Sequence, residues 1–573
     1  MDNRIGMPRR GKNERVQQHI LSRLTSLGAI ILLSLAGCGG GNGSVSPSST
    51  SPSSSSGTSS GSSTGTSTGS STGTPAGSTT GNTSNSGTGS TSSGLGPNSQ
   101  GQLPNSDGYY PDANGRYPNG NGIYPDQNGV YPSPAEIGYF PNGNGVARSF
   151  STNGPLDLNN AFFKPFGNGR SCATCHDPAD GFSITPATIR KRFDASQGND
   201  PLFTLNDGAN SPRAAVSTLS QRELAYSLLL DKGLFRIGQA IPANAEFELL
   251  RVEDPYGYAS AQELSLYRRP LPSANLKFLS HVMWDGRETL SSSTSNDCVP
   301  RMGCFGALDG HLQSQAQHAT MGHAQASSCL SVAEQNQIVA FEKTLFTAQI
   351  YSKDAGFLDV AGALGGALNL SRNSFTFGSN DPLYGNLKTG ALFNSVVMNN
   401  FNAWLNAAGA NKRQIDARLS IARGEQIFNS RPFQTSFVPG VPNDLDLPLT
   451  AVTCSSCHNT PQVGGASSHL AVSIFTSDGI LRTPDLPLYV LRHKGSGLIA
   501  KTTDPGIAMQ SGKWADIGRF KVPSLRGLSA RAPYFHNGSA ATITDVVFYY
   551  DRTFSLGLNS QEADDLIAFL SSL

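Results

Sequence analysis

Cys172-Ala173-Thr174-Cys175-His176 and Cys454-Ser455-Ser456-Cys457-His458 are two copies of one pattern, Cys-x-x-Cys-His, some 280 residues apart. The spacing is that of c-type haem attachment: two thiols become thioethers to one porphyrin, and the adjacent imidazole is the proximal ligand of its iron. Two other readings fit less well. A zinc site requires neither a histidine directly after the second cysteine of both pairs nor so long a separation, and an exported redox dithiol normally sits at a helix start after a strand. Two covalently bound haems imply redox chemistry, and they withhold four of the eight cysteines from disulfides.

At 573 residues the chain has room for two or three domains, although its N-terminal quarter has little that could form a core. A net charge of +1, with no long basic run beyond the N-terminus, argues against nucleic acid as a partner. Arg9, Arg10, Lys12, Arg15 and Arg23 precede an apolar run over 24–36 that is too short for the ~20 residues of a membrane span, so 1–37 reads as a signal peptide. It ends in Leu35-Ala36-Gly37-Cys38, which resembles a bacterial lipobox. That resemblance implies a lipid anchor on Cys38 and a place on the periplasmic side of a membrane or at the cell surface. An ordinary cleaved signal with an incidental cysteine is the plainer alternative.

Residues 38–105 are almost wholly Gly, Ser and Thr and cannot bury enough apolar surface to offset ordering entropy, so they read as a tether. Its reach is on the order of 45 Å for about 60 residues. Within 106–146, Tyr110-Pro111, Tyr117-Pro118, Tyr124-Pro125 and Tyr131-Pro132 recur every seven residues. Proline and the intervening Asn-Gly pairs forbid a helix, which leaves successive turns in a spacer or a contact surface for a partner or cell wall. Beyond the spacer, 147–415 and 416–573 each hold one haem motif. Helical patterning over 223–234, 331–349, 421–428 and 561–573, with few strand signals, predicts a mainly α protein of two cytochrome c-like domains.

Further motifs carry a resemblance. Trp284-Asp285-Gly286-Arg287, Arg423-Gly424-Glu425-Gln426-Ile427-Phe428 ahead of the second haem motif, Phe520-Lys521-Val522-Pro523-Ser524-Leu525-Arg526, and Ala532-Pro533-Tyr534-Phe535-His536-Asn537-Gly538 resemble the bacterial di-haem cytochrome c peroxidase and MauG superfamily from about Asp157 onward. The resemblance implies a peroxide-reactive N-terminal haem, an electron-handling C-terminal haem and an inter-haem tryptophan, here Trp284, which a core aromatic could equally be. Peroxidases of this kind ligate the C-terminal haem with methionine and MauG with tyrosine. Seventeen residues past Pro533 stands Tyr550, a MauG-like ligand whose phenolate favours higher oxidation states of iron. Met509, Tyr549, His493 or an open site are the alternatives. No histidine lies between His176 and His281, so the first haem is expected to be open at rest.

The resemblance also implies a glutamine and a glutamate beside the first haem for proton transfer. Allowing an insertion of about 21 residues around Cys298 and Cys304, these positions fall on Gln315 and Gln325. Gln325 cannot act as a base, and His323 is the substitute, since histidine exchanges protons near neutral pH; a surface role for His323 is the simpler reading. Cys298 and Cys304 suggest a local disulfide, with Cys329 free or exchanging as partner. A family calcium ion is expected at Asn275 and the carbonyls of Arg531 and Pro533, although Asn275 could simply cap a turn. Three functions follow. The first is reduction of hydrogen peroxide with electrons from a small cytochrome c or cupredoxin. The second is MauG-like oxidation of a protein or organic substrate, or dioxygenation as in the related rubber oxygenases. The third is plain electron transfer, the weakest because a carrier needs no open iron.

Overall fold

The computed structural model describes residues 138–289, 307–406, 411–433 and 452–573, the backbone of 297–299 and 303–305, and residues 102, 111, 116 and 117. The readings placed on the signal segment, Cys38, the tether and most of the Tyr-Pro repeat lie outside the described residues. No helix among the described residues is long and apolar enough to cross a membrane.

Thirteen strands and eleven α-helices are found among the described residues, so the expectation of a mainly helical protein is corrected to a mixed one. Most of the strands run five residues or fewer, too short to display a period in the sequence. The clearest case is 331–349, expected as one helix. The helix Val332–Thr344, opened by a Ser331/Glu334 capping box, gives way at once to the strand Leu345–Ser352. That strand lies inside an antiparallel sheet ordered Tyr139–Asn142, Gly145–Ser151, Leu345–Ser352, Gly356–Phe357. Its first five residues are all buried, so the sequence shows no polar alternation to betray a strand. Likewise, the helix expected over 223–234 is two short helices, Leu219–Ala225 and Ser227–Lys232, meeting at Tyr226.

The described residues fall within one compact unit. Within it, strand Phe247–Glu253 pairs with Leu488–His493, which pairs in turn with Ile499–Thr502, so one sheet joins chain from either side of the second Cys-x-x-Cys-His motif. In the C-terminal half, helix Lys412–Ser430 packs on helix Ser560–Ser571. They meet at Gly424, where an added Cβ would stand 1.9 Å from the Asp565 carbonyl oxygen. Arg423 pairs with the Asp565 carboxylate at 2.7 Å. The fully buried Glu425 accepts the backbone N–H groups of Asn400 and Phe401 at 2.6 and 2.9 Å. Arg423-Gly424-Glu425 thus fixes a helix pair whose Phe428 ring lies 6.3 Å from that of His458.

Candidate functional site: two haem pockets

Both haem motifs are built by the same local device. The residue before the first cysteine opens a short turn and donates its backbone N–H to the side chain three residues on: Ser171 to Thr174 Oγ1 at 2.9 Å in one copy, Thr453 to Ser456 Oγ at 3.0 Å in the other. Each histidine then donates from Nδ1 to the carbonyl six residues on, His176 to Phe182 at 2.8 Å and His458 to Gly464 at 2.5 Å. Phe182 and Gly464 both sit at positive φ, 59° and 72°, the backbone bend from which those carbonyls are presented. Burial lowers the pKa of both histidines, so each is a neutral imidazole with Nε2 left to coordinate.

Cys175 and His176 line one cavity and Cys454, Cys457 and His458 another, so the two cysteine pairs do not converge on a single metal. All four cysteines are free of disulfides. Burial pushes the Cys175 thiol up to about 11 and those of Cys454 and Cys457 to about 12, and raises Cys172 still further. Paired thiols at a cavity, beside an imidazole whose Nδ1 is held by a carbonyl, fit covalently held haem.

The first pocket carries polar groups. Helix Leu308–Gly322 and its C-cap His323 present Leu312, Gln315, Ala319 and His323 to the cavity, the spacing of one helix face. His323 Nδ1 lies 2.5 Å from Asp207 Oδ2, and Arg170 Nη1 donates to Asp207 Oδ1 at 2.6 Å. Burial acts to raise the Asp207 pKa, but the hydrogen bond and charge of His323, with Arg170, outweigh it and hold the carboxyl below its ordinary range. The turn before Cys172 is clamped to the same helix end, because Arg170 Nη1 and Asn168 Nδ2 also donate to the His323 carbonyl at 3.1 and 3.0 Å.

Two of the expected proton-transfer positions therefore meet in the pocket, Gln315 and His323, whereas Gln325 does not. The helix ends before it, and Gln325 is exposed in a left-handed turn (φ 50°), accepting from Asn168 Nδ2. Glu288 lies outside the pocket lining, with its carboxylate against His318 Nδ1 at 2.9 Å and Ser314 Oγ at 3.0 Å. Glu342 lines this pocket and the sequence reading missed it. Buried on the inner face of helix Val332–Thr344, it has its pKa pushed up to about 8 by burial, and Oε2 has no hydrogen-bond partner among the described residues. An acid beside Ile338, Val339 and Phe341 on a buried helical face was the available signal.

Trp284 lines both pockets, as do Arg269, Pro270, Leu271, Lys521 and Pro523. The indole Nε1 donates to the Arg269 carbonyl at 2.8 Å, and the Trp284 carbonyl accepts the Lys521 N–H at 2.9 Å. Asp285 holds Arg268 at 2.6 Å beneath it, and Arg268 reaches on to Asp504. Burial lowers the Lys521 ammonium to about 7. His281 faces neither pocket and stacks on His469 with ring centroids 4.2 Å apart.

The second pocket is walled by aromatic and aliphatic side chains, among them Phe428, Phe433, Phe554 and Tyr550. Burial raises the Tyr550 phenol pKa, and the nearby Cys457 and Cys454 add to the effect. The rival ligands lie elsewhere. Tyr549 donates its hydroxyl to the Ile474 carbonyl, Met509 packs in the core with Phe247 and Tyr489, and His493 Nδ1 accepts the Ser496 N–H at 2.9 Å.

Cys329 is disulfide-bonded, so it is not the free thiol that was one expectation. Cys298 and Cys304 are directly opposed in a two-stranded ribbon, Asp297–Val299 with Gly303–Phe305, whose side chains lie outside the described set. Of the expected calcium ligands, Asn275 bonds the Thr347 backbone with both polar ends of its amide, at 3.0 and 3.1 Å, and the Arg531 carbonyl accepts Arg269 Nη2 at 3.1 Å.

No family profile matches the chain. Individual relatives do. Cytochrome-c peroxidase IdrP1 of Denitromonas iodatirespirans is 33% identical over 143 residues, 21% of this chain and 36% of the relative. Cytochrome c551 peroxidase of Nitrosomonas europaea is 32% identical over 121 residues, 21% of this chain and 30% of the relative. Methylamine utilization protein MauG of Paracoccus denitrificans is 36% identical over 69 residues, 12% of this chain and 18% of the relative. The aligned segments thus span about a third or less of the curated relatives' length. A solved MauG-like protein associated with microbial copper homeostasis is 15% identical, over 55% of this chain and 78% of that one, with a TM-score of 0.23. The chain's relatives are oxidoreductases of the di-haem peroxidase and MauG kind.

Proposed function

We propose that this protein is an exported di-haem c-type peroxidase that reduces hydrogen peroxide in the first pocket with electrons passed through the second. The observation that carries the reading is the contrast across Trp284: an ionised Asp207 behind His323 on one side, a buried Tyr550 in an apolar wall on the other. Haem bound in the first pocket supplies the iron at which the O–O bond breaks. The chain supplies the proton traffic. With Nδ1 held by Asp207, His323 accepts a proton at Nε2 from one peroxide oxygen and returns it to the departing one, while the Gln315 amide orients the bound oxygen. Peroxide, two electrons and two protons give two waters. The electrons come from a small cytochrome c or cupredoxin, enter at the second pocket and cross by Trp284.

Tyr550 favours a second reading, MauG-like oxidation of a protein or organic substrate, because a phenolate ligand stabilises oxidised iron and not ferrous iron. Tyr550 and His458 would hold the second haem iron, and His176 would hold the first. A polar first pocket argues against a plain carrier. Anchoring through a lipid on Cys38 belongs to the same proposal. The deciding experiment is an optical and EPR titration of the ferric holoprotein with peroxide, followed by addition of a reduced donor cytochrome. One high-spin and one low-spin haem, with stoichiometric donor oxidation, is expected. Persistence of the oxidised species without donor turnover favours the MauG-like reading, and absence of any reaction with peroxide overturns both.

A further inference from the structure

The family resemblance implies a calcium ion between the two halves, and the structure places a fixed cation against one of the two carbonyls expected to hold it, that of Arg531, and against its neighbour Ala532. Arg269 follows strand Leu264–Arg268 and is buried. Its Nη2 donates to the carbonyls of Arg531 at 3.1 Å and Ala532 at 3.3 Å, and its Nη1 to that of Lys232 at 3.3 Å. Three main-chain oxygens drawn from both halves, with no carboxylate among them, are what a hard cation's cage would offer, and here a guanidinium fork fills it.

The space has been made for that side chain. A Cβ on Gly233, which closes helix Ser227–Lys232 at φ 63°, would stand 1.9 Å from Arg269 Nη1. Arg531 adds a second, half-buried guanidinium, donating from Nη2 to the Ser524 carbonyl at 2.6 Å. A divalent ion set among these two groups meets like charge at close range in a medium of low dielectric. Asn275, the one side-chain ligand expected, spends its amide on Thr347.

We propose that Arg269 is a built-in replacement for the inter-half calcium ion and that this protein neither binds nor needs calcium there. The main chain of the same residue adds two further ties. Its N–H donates to the His536 carbonyl at 2.7 Å and its carbonyl receives the Trp284 indole, so one residue ties the C-terminal half to the tryptophan between the pockets.

The inference rests on the di-haem reading only for its expectation of an ion, and its test reads metal content and melting, not turnover. Full-length holoprotein is dialysed against EGTA or calcium chloride, then assayed for calcium per chain and for Tm. No bound calcium and equal Tm in both buffers are expected, because a ligand selective for the native state would raise Tm with its concentration. Arg269→Gln, which leaves the carbonyls short of donors, should melt lower by about 5 °C or more. One tightly held calcium per wild-type chain, a Tm that falls in EGTA, or an Arg269→Gln variant as stable as wild type would each overturn the proposal. Should Arg269→Gln not fold, the wild-type measurements still decide it.

Discussion

The two pockets at the Cys-x-x-Cys-His motifs start from one design and diverge above it. Each has a capped Cys-x-x-Cys turn, a histidine whose Nδ1 donates to a carbonyl six residues on, and a phenylalanine, Phe162 or Phe428, tilted against that histidine. What differs is the remaining wall. The first cavity has Gln315, His323 and Glu342 aimed into it, backed by the ionised Asp207; the second is closed by Phe433, Phe554 and Tyr550. On the proposed function, similar proximal chemistry would serve two roles, because the distal residues set whether protons can be delivered or a charge is simply held in an apolar shell.

That contrast breaks most completely if one attachment site is removed. Serine at both Cys172 and Cys175 should lower covalent haem from two per chain to one and abolish reaction with peroxide. The matching pair at Cys454 and Cys457 should leave a first haem that still reacts but takes no electrons from donor; haem stain, mass spectrometry and stopped-flow absorbance read both. Two reactive pockets, or none in either variant, would falsify the division of labour.

His323→Ala comes next, with peroxide reaction slowed at least about a hundredfold at unchanged haem content. Asp207→Asn should slow it less, by roughly tenfold, because it removes the partner that orients the imidazole and not the imidazole itself. Rates within a few-fold of wild type for His323→Ala would remove the polar side of the comparison.

Tyr550→Phe should alter the low-spin EPR signal and raise the reduction potential of the second haem while sparing the first. An unchanged spectrum there, together with a loss on Met509→Ala, would defeat the ligand assignment. Trp284→Phe should keep both spectra but slow electron redistribution after peroxide, and unchanged donor oxidation would count against the shared wall as the route.

The smallest effect concerns Glu342. Burial raises its pKa from 4.5 to about 8, so the fold holds the neutral acid. The stability linked to it is full below the ordinary pKa and is lost as pH rises toward the raised one, by up to about 1.4 kcal/mol per pH unit in between. Glu342→Gln should flatten the fall of Tm between about pH 5 and about pH 8. A wild-type Tm that does not fall more steeply than the variant's over that window would show Glu342 to be ionised in the fold.

Sequence by itself determined the features set by local geometry. Cys-x-x-Cys-His needs only adjacent residues on one turn, so both motifs, whose histidines line separate cavities, could be read directly, and the Trp284 motif and the count from Pro533 pointed to residues that line those cavities, Trp284 and Tyr550. Counting failed at Gln325, where the distal helix ends at Gly322 and the chain turns out of the pocket. It failed as well at Leu345–Ser352, where burial erased the alternation that marks a strand. Tertiary structure alone decided the groups that act across long separations. Asp207 reaches His323 from 116 residues away, Glu342 becomes a pocket acid only because its helix face is buried, and Arg269 meets the Arg531 carbonyl across 262 residues. The physical reason is common to all three: the cost of burying a charge or polar group depends on what the fold brings to it, and no sequence spacing encodes that.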